Sequence, residues 1–150
     1  MYHLLLAHAA LRWLVFFALI WAIFRAAKGY INRTAFSKAD RAAVSAASIL
    51  SHIQLLVGFG LYFISPTAQY FWSERSFAWS DALFFAIVHF VLMTIAIVLI
   101  TIGSALAKRE TDDRAIFRAI LWYYGLGFLL ILIAIPWPFS PLAQRPWLRY

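Results

Sequence analysis

Apolar residues run almost unbroken through four stretches of this chain, and each stretch ends at a cluster of charged residues, glycine or proline. About 20 apolar residues coiled as a helix rise roughly 30 Å, the thickness of the hydrocarbon layer of a bilayer. The pattern predicts helices over about 3–27, 41–65, 81–107 and 116–135, followed by a short tail, 136–150. Gly29 is read as the stop of the first helix and Asp40 as the start of the second. Pro66 ends the second, because its ring nitrogen has no hydrogen to donate. Ser80 and Asp81 supply an N-cap and a first-turn carboxylate for the third, and Pro136-Trp137-Pro138 closes the fourth. Between the second and third, Thr67–Trp79 reads as an aromatic loop lying in the membrane interface.

The expected fold is therefore all-α: one integral membrane domain, 1–150, built as an up-down four-helix bundle. Its orientation follows from the cations. Arg25, Lys28, Arg33, Lys38 and Arg41 flank the first connection, and Lys108, Arg109, Arg114 and Arg118 flank the third. The second has only Arg75, so the positive-inside rule puts the first and third connections in the cytoplasm and both termini on the periplasmic side. Arg145 and Arg149 in the tail fall on the periplasmic side and count against this orientation, but two tail charges do not outweigh the nine cations of the first and third connections. Trp13–Phe24, preceded by Arg12, is long enough for a signal sequence, but Arg25 and Lys28 directly after it suit a retained helix anchored in the interface.

Composition sharpens this reading. Only 13% of residues are charged, against about a quarter in soluble domains, so lipid is the main solvent. A net charge of +7 would suggest nucleic acid in a soluble protein. Here the cations sit at the ends of apolar runs, where they set topology and meet anionic lipid head groups, and no nucleic acid is expected. The absence of cysteine excludes disulfides, thiolate-held metals, iron–sulfur clusters and covalently attached haem.

An ionisable group inside a bilayer costs about 2.5–3.5 kcal/mol on insertion scales, so each one needs a reason. His8, Arg12, His52 and His89 are the candidates, and every Asp and Glu falls at a helix end or in a connection. That excludes a di-iron carboxylate centre and a carboxylate proton path. By helical rise all four lie between the outer surface and the midplane, on three helices. Such an arrangement suits haem b, an apolar disc whose iron takes neutral imidazoles from both sides. His52 and His89 are expected as the axial ligands, with His8 as the substitute and Arg12 as partner of a propionate. Ala86, His89, Met93, Ala96, Ile100 and Gly103 form one inward stripe, and Ser45, Ser48 and His52 another. A quinone pocket near His8 and Arg12 is compatible with these residues. So is a copper or zinc site from His3, His8 and His89, although the usual short ligand spacing is missing. Structural packing of the histidines against serines and carbonyls is the competing explanation.

Four segments carry a family resemblance: His8-Ala9-Ala10-Leu11-Arg12-Trp13, His52-Ile53-Gln54-Leu55-Leu56-Val57-Gly58, the run from Ala96 to Gly103, and Ile135-Pro136-Trp137-Pro138-Phe139. Together they resemble short four-helix bacterial membrane proteins described as cytochrome b-like. The architecture is also similar to bacterial b561 cytochromes, which carry histidines on a fourth helix where this chain has none. Val88 stands where the cytochrome b-like family often has an acidic residue. The resemblance implies a multi-pass protein of the bacterial inner membrane that binds haem and carries electrons. The alternative expectation is an accessory subunit without its own cofactor, packed into a larger respiratory or other membrane complex.

Overall fold

The computed structural model describes residues 1–75 and 77–147, and every regular element among them is a helix. Four helices are long and apolar enough to cross a membrane: α1 (Tyr2–Asn32), α2 (Lys38–Ile64), α4 (Asp81–Arg109) and α5 (Asp113–Ala134). A shorter helix, α3 (Pro66–Glu74), lies between α2 and α4. Even the shortest of the four, at 22 residues, spans about 33 Å.

The long helices are apolar on their outward faces as well as inside. Ile49, Ile53 and Leu56 on α2, Val91, Ile95, Val98 and Ile102 on α4, and Trp122, Leu126, Leu129 and Ile133 on α5 are exposed at helical spacing. In water such stripes would drive aggregation, whereas in lipid they are solvated. The chain is accordingly a multi-pass membrane protein whose helices contact the bilayer.

Inside, small residues bring the backbones close. Leu19, Ala22 and Ala26 meet Ala43, Ala47, Ala96, Ile100, Phe117, Ile120 and Tyr124 in one buried cluster. α1 packs on α2 and α5, and α4 packs on α5 and α2, so α1 and α4 lie diagonally across from one another. Tyr124 ties three helices together, its hydroxyl donating to the Val44 carbonyl at 3.0 Å and lying 2.7 Å from Ser104 Oγ.

Several helix ends differ from the sequence expectation, each for a local reason. Gly29 does not stop α1: the Phe117 ring occupies the space where a side chain would stand, so Gly29 serves packing inside the helix. The stop is Arg33, in the left-handed region at φ 53°, four residues later. α2 starts earlier because Ser37, not Asp40, is its cap. Asp40 is the reciprocal member of a capping box, accepting the Ser37 N–H at 2.9 Å and pairing with Arg25 at 2.8 Å. The aromatic connection is also more ordered than expected. Ser65 caps α3, and Pro66 fills its first turn, where no N–H partner is needed.

The connections sort to two ends. The α1–α2 and α4–α5 turns meet through Asp113, whose carboxylate accepts the Phe36 N–H at 2.9 Å, and the nine cations flanking these turns mark this as the basic end. At the other end Arg145, in the segment after α5, pairs with Asp81 at the start of α4.

Candidate functional site

Among the described residues, five buried side-chain polar atoms have no hydrogen-bond partner: His8 Nδ1, Arg12 Nε, Ser51 Oγ, Gln54 Oε1 and Arg145 Nε. All five belong to residues lining one cavity of about 330 Å³ at the end opposite the basic one. A buried polar group left unpaired costs about 1–3 kcal/mol, and folded proteins keep few of them. A single water needs only about 10–15 Å³ of the same kind of space, so this cavity has room for a many-atom guest. The rest of its wall is mostly apolar, including Leu55, Phe59, Phe85, Phe90, Met93 and Ile131. An apolar chamber with a few convergent polar groups is the usual form of a small-molecule site.

Local backbone features aim each of these side chains. Phe84–Val88 forms a π-helical turn inside α4, closed by the His89 N–H bonding to the Phe84 carbonyl. One extra residue in a turn rotates the remainder of the helix by about 100°, and such turns often mark functional positions. His89 thereby reaches the end of α5, where its Nδ1 donates to the Ala134 carbonyl at 2.8 Å. That carbonyl is available because α5 ends at Ala134, which leaves the last carbonyls of the helix without helical partners. Pro136 has no N–H to give Leu132, whose carbonyl instead accepts the Trp137 indole N–H at 2.8 Å. The Pro-Trp-Pro motif thus ends the helix and leaves two carbonyls free, one of which accepts from His89 Nδ1.

His8 faces His89 from the diagonal helix. Their ring centroids are 6.5 Å apart and their planes are inclined by 69°. Gly58 on α2 makes room for this, because a Cβ there would come within 3.3 Å of His8 Cε1. Gln54 steadies the pair of helices, donating its amide N–H to the His8 backbone carbonyl at 2.9 Å. Arg12, one turn further along α1, lines the same cavity, rests on the Trp13 ring and donates to the Trp147 carbonyl.

His52 is elsewhere. It does not line the cavity, its Nδ1 donates to the Ser48 carbonyl at 2.7 Å, and its Nε2 lies 3.1 Å from Thr101 Oγ1 on α4. The structure therefore brings His8, not His52, opposite His89. The inward face of α2 is Ala43, Ala47 and Ser51, continuing to Gln54 and Gly58 in the cavity wall, whereas the expected stripe of Ser45, Ser48 and His52 is only half-buried. His52 sits one residue, about 100°, off the interior face.

His3 is exposed and touches Tyr2. Among the described residues no three His, Asp or Glu side chains converge on one point, so the copper or zinc site of His3, His8 and His89 is not assembled. Met93 lines the cavity together with His89. Arg145, Ser51 and Gln54 join the site beyond the residues expected from sequence. Arg145 lies 56 residues from His89 in a segment whose path sequence periodicity does not reveal. No family model, no curated protein and no solved structure matches this chain, so the site is characterised by its own geometry: a diagonal histidine pair, two arginines and an apolar wall.

Proposed function

We propose that this protein is a small b-type cytochrome of the bacterial inner membrane that holds haem between His8 and His89 and takes part in electron transfer. The observation that carries the reading is the 6.5 Å separation of the two rings across a shared cavity. Metal–imidazole bonds of about 2 Å on both faces of one iron, with the ring half-widths added, put two ligand centroids about 6 Å apart. The residues also fit in chemical type. His89 commits Nδ1–H to Ala134 and keeps a free lone pair on Nε2, the usual state of a haem-ligating histidine. Arg12 supplies a guanidinium for a propionate, and Phe59, Phe90 and Met93 exclude water from the space beside the rings. Bound there, haem would provide one-electron transfer at a potential set by its two imidazoles and their surroundings. The resemblance of the four sequence segments to cytochrome b-like proteins points the same way.

In this proposal the four long helices form an up-down bundle, with both termini and the cavity on the periplasmic side and the basic end in the cytoplasm. Alkaline phosphatase fused to the C-terminus is expected to be active, and the same reporter in the α1–α2 connection inactive. The reverse pattern would overturn the orientation.

The first test is optical: protein purified from cells supplied with haem is expected to give a reduced-minus-oxidised spectrum of b type. A folded but colourless preparation would favour the accessory-subunit reading. Gly58 offers a finer probe, because a valine there drives branched methyl groups into the His8 ring. Gly58→Val is expected to lower haem content per protein about tenfold or more, as disturbances beside a metal ligand commonly do. Gly60→Ala, whose Cβ would meet Leu4 at an ordinary 3.4 Å, should leave it unchanged.

A further inference from the structure

The cavity is lined by two arginines and, among the described residues, by no Asp or Glu. Arg12 gives one guanidinium nitrogen to the Trp147 main chain, and Arg145 gives one to Asp81, whose carboxylate is about half exposed, and one to the Gln144 main chain. Each keeps a buried Nε–H without a partner. A guanidinium presents its donors as a planar fork that matches a carboxylate, and an unpaired buried donor on a cation is most readily satisfied by an anion. Two such forks on one mostly apolar chamber select for a guest that is mostly apolar and carries anionic groups at one edge.

We infer that Arg12 and Arg145 form a two-arm clamp for the carboxylates of a tetrapyrrole, one arm fixed on α1 and the other carried by the segment after α5. The second arm is positioned by aromatic packing. Trp147 sits against Trp13, Trp137 and Phe139 at centroid distances of 6.0, 5.6 and 6.0 Å, and Arg145 lies over the Phe85 ring at 5.0 Å. Pro146 beside it lines the cavity too, so the segment forms part of the chamber wall. The inference rests on the haem reading for the identity of the guest, and not for the presence of an anion site.

The test uses metal-free porphyrin, which needs no histidine ligand. Detergent-purified protein from haem-limited cells is titrated with protoporphyrin IX and with its dimethyl ester, and binding is followed by quenching of tryptophan fluorescence. The free acid should bind about tenfold or more tightly than the ester, as loss of charge-assisted hydrogen bonds implies. Arg12→Gln with Arg145→Gln should remove that preference, and Arg145→Lys should retain only part of it, with helicity by circular dichroism unchanged. Equal binding of acid and ester, or a preference untouched by the double substitution, would overturn the clamp. Displacement of nothing but phosphatidylglycerol, with the porphyrin acid not bound, would also overturn it and reassign the arginines to a lipid phosphate. The two readings fail separately. An acid preference that survives His8→Ala with His89→Ala, alongside iron porphyrin that never shows two imidazole ligands, keeps the clamp and discards the cytochrome. A haem spectrum with no acid preference does the opposite.

Discussion

Replacing His8 or His89 by alanine is expected to abolish the low-spin haem spectrum and lower bound haem by at least about tenfold, while His52→Ala leaves both nearly intact. The contrast follows from where the three rings sit. His8 and His89 face one another across the cavity, so removing either would leave a haem iron held there with a single protein ligand. Disturbing even the groups behind a metal ligand commonly costs 10- to 100-fold in affinity, and removing the ligand itself costs no less. His52 instead links Ser48 to Thr101 across the α2–α4 interface, so its loss affects helix packing. Interhelical hydrogen bonds of this type average about 0.6 kcal/mol in a membrane, too little to unfold the protein. If His52→Ala lost the haem and His8→Ala kept it, the diagonal pair would be the wrong pair.

The second large effect concerns the scaffold. Gly127→Ala is expected to destabilise the protein by about 1–3 kcal/mol, the usual cost of overpacking, while Gly125→Ala is neutral. An added Cβ at Gly127 would lie 2.9 Å from the Ala96 backbone oxygen, and a backbone atom in a packed helix cannot move aside as a side-chain tip can. The same atom at Gly125 meets nothing within 4 Å. Thermal denaturation in detergent should separate the two variants by several degrees. Similar melting of both would mean that α4 and α5 do not approach so closely.

Those two glycines show what sequence alone conveys and what it leaves open. The existence of four apolar helices is legible because each run must be long enough to cross hydrocarbon, and the outward stripes at Val91, Ile95, Val98 and Ile102 are apolar for the same reason. Which face turns inward is much less legible, since a helix that is apolar all round carries little contrast between its sides. On α4 the inward stripe through Ala96, Ile100 and Gly103 was readable from its three- and four-residue spacing, whereas Ala86, before the π-helical turn, is buried against α3. On α2 the polar residues misled: Ser45, Ser48 and His52 look like an interior polar face, yet Ala43, Ala47 and Ser51 hold that position. Small size, not polarity, marks the interior there, because close backbone approach drives packing in lipid.

Gly29 and Gly127 belong to the same lesson, since both are helix residues chosen for proximity and neither is a stop. For the candidate site, His8, Arg12 and His89 were visible as costly residues in apolar runs. Arg145 was not, because nothing in its local sequence says that the segment folds back over the cavity. The role of Pro136 was likewise hidden: the sequence shows a helix breaker, and only the fold shows that a carbonyl left free at that helix end receives His89.

The most direct measurement of the central claim is electron paramagnetic resonance of the oxidised protein in frozen solution, prepared with one haem per chain. Two imidazoles on one iron with planes inclined at 69° should give a low-spin ferric signal of high anisotropy, lost in His8→Ala and in His89→Ala. A high-spin ferric signal alone, or haem that washes away with no protein-bound ferric signal, would contradict the pairing of His8 with His89 around a common iron.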